Sequence, residues 1–242
     1  MNHAARAVLF DLDGTLINTF HLYMESFRRT LEPHFNRRLS DAEIMAFNPH
    51  AEQRLLLDLI QELEFTPYFE RFLTFYSALH DALFAGPYDG VLDMLRTLQE
   101  NGYLLGVVTG KSRDAWRITA TRMEAEGFED LFHIVLTDDD VQDPKPSPEG
   151  LLLVLDALEI QPTQAVFIGD SQLDREAAQE AGIPFGAALW SRGQDGRAAF
   201  AQPIGPDDGG LIFRQPAHLL DWVRGQGKQG GKSGTDLFSQ PT

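Results

Sequence analysis

Residues 7–15 read Ala-Val-Leu-Phe-Asp-Leu-Asp-Gly-Thr, a short apolar run that ends in two carboxylates one residue apart. The apolar run predicts a buried β-strand, and residues i and i+2 of a strand point to the same side. Asp11 and Asp13 would repel each other there unless a cation or a shared proton relieves the repulsion. Gly14 allows a sharp turn after the pair, and ligands bind at strand ends in α/β sheets. The stretch therefore favours an active site, although Asp-x-Asp-Gly is also typical of an ordinary turn.

A second apolar run, residues 104–108, ends in residues that suit a phosphate group. Thr109, Gly110 and Lys111 follow it, and a helix is predicted to start at Arg113. A hydroxyl group, a glycine with an exposed backbone N–H and the amino end of a helix all bind phosphate well. For Lys111, a contact with substrate and a solvated position at the start of the helix both remain open.

Two further segments supply charge of both signs. Residues 143–148 place Lys145 between prolines, which restrict the backbone around it. Residues 165–168 form a third apolar run, after which Asp170 and Asp174 bring two more carboxylates to a strand end. Two of the four lysines lie in a Gly-rich terminal segment, so both lysines of the folded body fall within these motifs.

Together the four segments resemble the haloacid-dehalogenase superfamily of aspartate-nucleophile hydrolases. Asp-x-Asp-Gly-Thr followed far downstream by Gly-Asp-Ser-x-x-Asp is a specific combination, and the motifs occur in the family's order between about Arg6 and Arg224. The resemblance implies an α/β fold with a Rossmann-like parallel sheet, helices on both of its faces, and an all-helical cap domain inserted after the first strand.

The resemblance also implies a role for each motif. Asp11 would attack phosphorus to form an aspartyl-phosphate. Asp13 would protonate the leaving oxygen and then deprotonate the water that hydrolyses this intermediate. Thr109 and the N–H of Gly110 would hold the phosphoryl oxygens, and Lys145 would neutralise charge on the nucleophile and the phosphate.

The cofactor implied by the resemblance is Mg²⁺. Asp170 would ligate the ion together with Asp11 and the backbone carbonyl of Asp13, and Asp174 would bind it directly or through water. Several carboxylates that face a dianionic phosphate call for a divalent cation, and Mg²⁺ prefers few carboxylates together with phosphate oxygen and water. Ser171 is expected to cap the following helix.

The periodicity of the chain predicts its domains. Residues 1–15 and 85–224 are assigned to the catalytic core, 16–84 to the cap, and 225–242 to a flexible Gly-rich tail. Segments 16–18 and 85–87 are the expected hinges. Within the cap, helices are predicted at 20–31, 41–47, 52–63 and 67–83, with Ser40 and Glu43 forming a capping box. The cap aromatics are expected to form its core: Phe65, Tyr68, Phe69, Phe72, Phe75 and Tyr76.

Several other chemistries of the resembling family do not fit this sequence. Dehalogenases lack the second aspartate, which is present here as Asp13. Phosphonoacetaldehyde hydrolases use a cap lysine, and residues 16–84 contain none. Residues 47–50 do not match the Gly-x-x-Arg cap signature of sugar phosphate mutases. P-type ATPases need membrane helices, and this sequence has no apolar run long enough for one. A phosphatase remains, similar to phosphoglycolate phosphatases and to cap-bearing pyrophosphatases. A catalytically retired binding or regulatory protein on the same fold is the alternative of another class.

Cap residues are expected to select the substrate, a small phosphorylated metabolite. Arg54 would clamp a carboxylate or a second phosphate, or else lie on a solvated helix face. The other candidates in the cap are His21, Glu25, Asn48 and His50.

The composition of the chain excludes several classes of binding partner and of chemistry. The formal net charge is −16, so nucleic acid and anionic membranes are unfavourable partners. No apolar run approaches membrane-spanning length, and Asp11 and Asp13 interrupt the first apolar stretch, so no signal peptide is expected. The chain has no cysteine, which excludes disulfides and thiol chemistry. A cytoplasmic enzyme is expected, and the sequence makes no prediction of oligomeric state.

Overall fold

The computed structural model describes residues 5–47, 51–60, 65–193 and 211–229. Its centre is a six-stranded sheet with the strand order β3-β2-β1-β4-β5-β6, in which every neighbouring pair is parallel. The strands are β1 (Ala7–Phe10), β2 (Leu104–Val108), β3 (Ile134–Leu136), β4 (Ala165–Gly169), β5 (Phe185–Ala188) and β6 (Leu211–Phe213). The predicted Rossmann-like α/β fold is confirmed.

Strand β1 lies in the middle of the sheet and is completely buried, as its continuous apolar run predicts. Phe10 is paired with Val107 on one side and with Ile168 on the other. The segments that follow β1, β2 and β4 therefore emerge next to one another at the carboxyl edge of the sheet. The chain order reverses at β1, and such a reversal is where ligands bind in open parallel sheets.

Helices cover both faces of the sheet. Helices α5 (Val91–Glu100) and α9 (Pro216–Gln229) pack on one face, and α7 (Glu149–Ala157) and α8 (Gln172–Ala181) pack on the other. Helix α6 (Arg113–Met123) connects β2 to β3. Because α9 continues to Gln229, it extends beyond the predicted start of the tail at residue 225. The remainder of that predicted tail, residues 230–242, lies outside the described residues.

Between β1 and α5 the described residues form four helices, which we call the helical insertion: α1 (Phe20–Phe35), α2 (Asp41–Ala46), α3 (Glu52–Leu59) and α4 (Phe65–Leu83). The insertion has its own hydrophobic cluster, with Phe27, Phe72 and Tyr76 at its centre. The predicted capping box of Ser40 and Glu43 is present at the start of α2. Of the six aromatics predicted to form this core, Phe75 is the exception, because its ring lies against two arginine side chains.

Two predicted helix ends in the insertion were wrong. Helix α1 continues through Pro33 to Phe35, beyond the predicted end at residue 31, because a proline in the last turn removes only one hydrogen bond there. Asn36 then ends α1 in the left-handed conformation, with φ of 49°. Helix α3 ends at Leu59 and not at residue 63, because the backbone of Ile60 is extended.

The two connections between the core and the helical insertion run side by side. The backbone N–H of Asn18 donates to Gly86 O at 2.9 Å, and Ala85 N–H donates back to Asn18 O at 3.1 Å. Tyr88 N–H donates to Leu16 O at 3.2 Å. These are the segments expected to act as hinges, and their movement remains a prediction. No helix in the described part of the chain has the length and apolar character needed to cross a membrane.

Candidate active site

One cavity at the carboxyl edge of the sheet brings the predicted motifs together. Among the described residues its lining contains all nine predicted site residues: Asp11, Asp13, Arg54, Thr109, Gly110, Lys111, Lys145, Asp170 and Asp174. The helical insertion forms the opposite wall, to which it contributes Tyr23, Ala51, Glu52 and Arg54. The cavity therefore lies between the core and the insertion.

Lys145 links two of the acidic motifs. Its Nζ donates to Asp11 Oδ1 and to Asp174 Oδ1, each at 2.7 Å, and to the Val108 carbonyl at 3.2 Å. Burial raises the pKa of Asp11 to about 7; Lys145 opposes this shift and Asp174 adds to it. Burial would lower the pKa of Lys145, but Asp11 and Asp174 raise it above its ordinary value, so this lysine keeps its charge.

Asp170 lies deep in the site, with only 2% of its surface exposed. Its Oδ1 accepts a hydrogen bond from Thr15 at 3.3 Å, while its buried Oδ2 has no partner among the described residues. A Cβ atom at Gly14 would lie 2.6 Å from this Oδ2, so only glycine leaves room for the carboxylate. Burial, and after it the charges of Asp11 and Asp174, raise the pKa of Asp170 well above its ordinary value.

These carboxylates fit a divalent cation. Ligand oxygens of Asp11, Asp170 and Asp174 all lie within 4.8 Å of one another. Within the described part of the chain, Lys145 is the cation that contacts this cluster, so the three carboxylates retain an excess of negative charge. Asp170 Oδ2, one of their buried oxygens, has no partner there. An oxygen-only donor set with few carboxylates is what Mg²⁺ prefers.

Asp174 is held more tightly than the other two. It stands in the first turn of α8, where its Oδ2 accepts from the N–H and the hydroxyl of Ser171 at 3.0 and 2.5 Å. Ser171 caps α8 in return, as predicted. Since Asp174 Oδ1 is bound to Lys145, both of its oxygens already have partners. Gly169 makes this approach possible, because a Cβ there would lie 2.6 Å from the Asp174 side chain.

Asp13 is held outside this cluster. Its Oδ1 accepts the Thr19 hydroxyl at 2.6 Å, and its Oδ2 lies 3.2 Å from Lys111 Nζ. The chain turns directly after Asp13 at Gly14, which has φ of +89° and donates its N–H to Ile17 O at 3.0 Å. The two aspartates of the opening motif are therefore given different surroundings, one beside Lys145 and the other beside Lys111.

The second motif lies at the end of β2. Thr109 Oγ1 accepts the backbone N–H of Lys111 at 3.2 Å, which leaves its hydroxyl hydrogen available to a ligand oxygen. Ser112 caps α6 by accepting from Ala115 N–H. Lys111 is 1% exposed, so its predicted alternative position in solvent at the start of the helix is wrong. The side chain instead turns inward, toward Asp13 and two tyrosines.

The insertion residues predicted to select substrate have different surroundings. Arg54 is exposed and also lines the cavity, so the two alternatives weighed for it are compatible. Glu25 is bound by Arg28, Arg29 and Arg38, and neither it nor His21 is among the lining residues. Asn48 and His50 lie outside the described residues.

Sequence reasoning missed other residues of the cavity. Asp138 follows β3 closely, and the rule that parallel strands end at one edge would have found it; burial, and after it Glu52, raises its pKa to about 6. Glu52 is 1% exposed and accepts from the N–H and hydroxyl of Ser112 at 2.7 and 2.6 Å. No local signal marks Glu52, or the two tyrosines beside Lys111, because only the packing of the insertion on the core brings them there.

The chain is similar in sequence to known hydrolases. The sequence model of the haloacid dehalogenase-like hydrolases matches residues 8–188. The pyrophosphatase PpaX of Bacillus pumilus is 37% identical over 187 residues, which cover 76% of this chain and 83% of the relative. The pyrophosphatase PpaX of Halalkalibacterium halodurans is 32% identical over 222 residues, which cover 89% and 95%.

Solved structures show the same fold. A predicted phosphoglycolate phosphatase from Haemophilus somnus superposes with a TM-score of 0.77 at 24% identity, covering 91% of this chain and 98% of its own. CbbY from Rhodobacter sphaeroides, in complex with phosphate, gives a TM-score of 0.74 at 20% identity over 89% and 96%. The matches confirm the predicted resemblance and the predicted class of enzyme, a phosphatase. The chain belongs to the haloacid dehalogenase-like hydrolase family.

Proposed function

We propose that this enzyme hydrolyses a small phosphorylated metabolite through an aspartyl-phosphate on Asp11, with Mg²⁺ as cofactor. The observation that carries the proposal is the surroundings of Asp11. Its Oδ1 is held by Lys145 at 2.7 Å, and the acidic cluster with Asp170 and Asp174 lies beside it in the same cavity as Thr109. A buried carboxylate fixed by a lysine, next to a cation site and a phosphate-binding hydroxyl, suits nucleophilic attack on a phosphoryl group.

Each residue of the site has its own role in the proposed reaction. Asp11 attacks phosphorus, and Lys145 holds it in place and offsets the negative charge that gathers around the phosphoryl group. Thr109 and the N–H of Gly110 hold phosphoryl oxygens. Asp13 gives its proton to the leaving oxygen and then removes a proton from the water that releases phosphate from Asp11.

Asp11, Asp170 and the backbone carbonyl of Asp13 would hold Mg²⁺, with Asp174 behind them. When bound, the ion supplies positive charge that neutralises the phosphoryl oxygens and the three carboxylates. The unpartnered Oδ2 of Asp170 supports this assignment, because a buried carboxylate oxygen without a donor is costly unless a cation binds it.

The substrate we propose is a phosphoglycolate-like compound, a phosphate ester whose leaving group carries a second negative charge. Arg54 supports this, because it is an exposed cation of the helical insertion that lines the cavity and can pair with a carboxylate. Inorganic pyrophosphate is the second candidate. Its leaving group is also anionic, and the relatives named PpaX pyrophosphatases favour it.

We further propose that the helical insertion, with bounds 16–84, acts as a cap. Tyr23, Ala51, Glu52 and Arg54 already form one wall of the cavity, so a rotation of the insertion about the paired segments at Asn18 and Gly86 would open it to substrate. Structures with and without a phosphate mimic should differ by such a rotation. Identical domain orientations in the two states would contradict this proposal.

The test of the function is phosphate release, with Mg²⁺ and with chelator, from phosphoglycolate, pyrophosphate, sugar phosphates, nucleotides and an aryl phosphate. We expect one compound with an anionic leaving group to exceed the others by about a hundredfold in kcat/KM, which is nearly 3 kcal/mol in transition-state binding. An acid quench during turnover should trap phosphate on the peptide that contains Asp11. Mg²⁺ binding without turnover of any compound would instead support the retired binding protein.

Arg54→Ala tests the choice of substrate. We expect kcat/KM for phosphoglycolate or pyrophosphate to fall by about tenfold or more, since a charged hydrogen bond contributes about 1.5 to 3 kcal/mol. For an aryl phosphate whose leaving group carries no second anionic group, kcat/KM should change little. Arg117→Ala is the matched control, because Arg117 is exposed on α6, pairs with Asp114 and is not a lining residue. Equal losses on both substrates would contradict a role for Arg54 in recognising the leaving group.

A further inference from the structure

Lys111 is a buried cation for which the proposed mechanism has no use. Its Nζ donates to the hydroxyl of Tyr23 at 2.7 Å and to that of Tyr76 at 2.9 Å, and it lies 3.2 Å from Asp13 Oδ2. An ammonium group has three hydrogens, and three oxygens surround this one. Two of these hydrogens bond the tyrosine hydroxyls and the charge is paired with Asp13, so the contacts of Lys111 in this structure are with protein groups; a substrate contact was one of the alternatives that the sequence left open.

The partner of Lys111 in the core is the proposed general acid. Thr19 holds one oxygen of Asp13 and Lys111 holds the other, so the plane of the carboxyl group is fixed by both contacts. A proton donor must stay within hydrogen-bond reach of the leaving oxygen, and a small displacement of such a group slows the reaction strongly. Fixing Asp13 is thus a contribution to rate that requires no contact with substrate.

The partners of Lys111 in the helical insertion are fixed in turn. Tyr23 in α1 donates its hydroxyl hydrogen to Glu52 at 3.1 Å, so its oxygen is turned to accept from Lys111. The hydroxyl of Tyr76 in α4 is bonded to Thr119 at 2.8 Å. Both rings are buried, and the rest of each side chain packs in the hydrophobic cluster of the insertion.

The side chain of Lys111 remains protonated although it is buried. Burial would lower its pKa, but Asp13, followed by Tyr76 and Glu52, raises it above the ordinary value for lysine. Lys111 stays charged and has two neutral partners and one anionic partner. Its strongest electrostatic attraction is therefore with the anion, Asp13.

We propose that Lys111 is a positioning residue that holds Asp13 in place for proton transfer, and that Tyr23 and Tyr76 of the insertion hold Lys111. The proposal rests on the proposed function, in which Asp13 is the general acid. It makes the proton transfer depend on the contact between insertion and core, because the two tyrosines belong to the insertion and Lys111 and Asp13 belong to the core.

The test compares two substrates whose leaving groups differ in their need for a proton. Phosphoglycolate loses an alkoxide-like oxygen that needs protonation, whereas 2,4-dinitrophenyl phosphate loses a stable anion that does not. In Lys111→Met we expect kcat/KM for phosphoglycolate to fall by about a hundredfold, the lower range of general acid catalysis, and kcat/KM for the dinitrophenyl ester to fall less than about threefold. Another alkyl phosphate replaces phosphoglycolate if the substrate panel identifies a better one.

Two further variants test the same proposal with changes that should not disturb the fold. Tyr76→Phe and Tyr23→Phe each remove one oxygen and retain the packed ring, and we expect the same selective loss at about three- to tenfold. Tyr103→Phe is the matched control, because its hydroxyl donates to the carbonyl of Val223 at 3.5 Å and Tyr103 is not among the residues that line the cavity. Thermal unfolding of each variant reports any general loss of structure.

A double-mutant cycle tests whether the effect of Lys111 on the rate depends on Asp13. If Lys111 acts through Asp13, adding Lys111→Met to Asp13→Asn should cause little further loss on phosphoglycolate. Equal losses on the two esters, or losses that multiply in the double variant, would overturn the proposal and leave the proposed function standing. Failure of the wild-type enzyme to hydrolyse any phosphate ester would overturn both.

Discussion

The carboxyl edge of the sheet and the helical insertion form opposite walls of one cavity, but the chain builds them in different ways. At the sheet edge, Asp11, Thr109 and Asp170 are each the first residue after a strand. In the insertion, Tyr23 and Glu52 lie on helices and reach the cavity only because those helices pack against α6 and the core. The first wall is set by strand register and carries the proposed bond-breaking chemistry. The second is set by side-chain packing and carries the proposed orientation and selection of substrate.

The largest expected effect is that of Asp11→Asn in the sheet-edge wall, which should lower kcat without lowering stability. Loss of the nucleophile should lower kcat by at least about a thousandfold. Because Asp11 is a buried carboxylate with a raised pKa, its neutral replacement should leave the melting temperature of the Mg²⁺-free protein unchanged or higher. Steady-state rates and thermal melts measure both quantities. Substantial turnover by the variant would show that Asp11 is not the nucleophile.

Gly14→Ala tests how closely the sheet-edge wall is packed. A new Cβ would lie 2.6 Å from Asp170 Oδ2, so we expect Mg²⁺ affinity and kcat each to fall by about tenfold or more. Gly86→Ala is a matched control with φ of +84° instead of +89° and no atom within 4 Å of the new Cβ. It should lose only about 1 kcal/mol of stability to backbone strain. Similar effects of the two variants on Mg²⁺ binding would show that the close approach is unimportant.

Glu52→Ala tests the packed wall. The substitution leaves the N–H of Ser112 and the hydroxyl of Tyr23 without their acceptor in a buried place, so unfolding should become easier by about 2 to 4 kcal/mol. Chemical denaturation measures this, with Glu32→Ala on the exposed side of α1 as control. If Glu52→Ala were as stable as the control, the contact of insertion and core would not depend on this carboxylate.

The smallest effect concerns His80, which is buried where α4 meets α6 and lies 3.4 Å from the Thr119 hydroxyl. Burial, together with the nearby charge of Lys111, lowers its pKa from 6.5 to about 4. The unfolded chain therefore binds a proton between pH 6.5 and 4 that the folded protein does not, and stability contributed by neutral His80 is lost as the pH falls through this range. We expect a loss of about 1 to 3 kcal/mol in wild type and a smaller one in His80→Gln. Parallel pH profiles would contradict this.

The same contrast explains how much of the molecule could be predicted from sequence. Strands β1, β2 and β4 are uninterrupted apolar runs that end in polar motifs, so the sheet and the residues after it, such as Asp11 and Asp170, could be read directly. The position of Lys111 could not, because sequence alone does not tell whether a side chain that follows a strand turns toward solvent or toward two tyrosines of the helical insertion. Glu52 carries no local signal at all, since its partner Ser112 is 60 residues away along the chain.

The hydrogen-bonded pairing of Asn18 with Gly86 brings together the two places where the chain enters and leaves the helical insertion. Entry and exit of the chain lie at the spacing of neighbouring strands, so a different segment of any length could be grafted at this point without changing the sheet. Evolution or protein engineering can thus exchange the selecting part of such an enzyme as one unit. The buried lysine sets a condition on that exchange, because a graft without hydroxyl groups at the places of Tyr23 and Tyr76 would leave Lys111 buried with a single partner, Asp13.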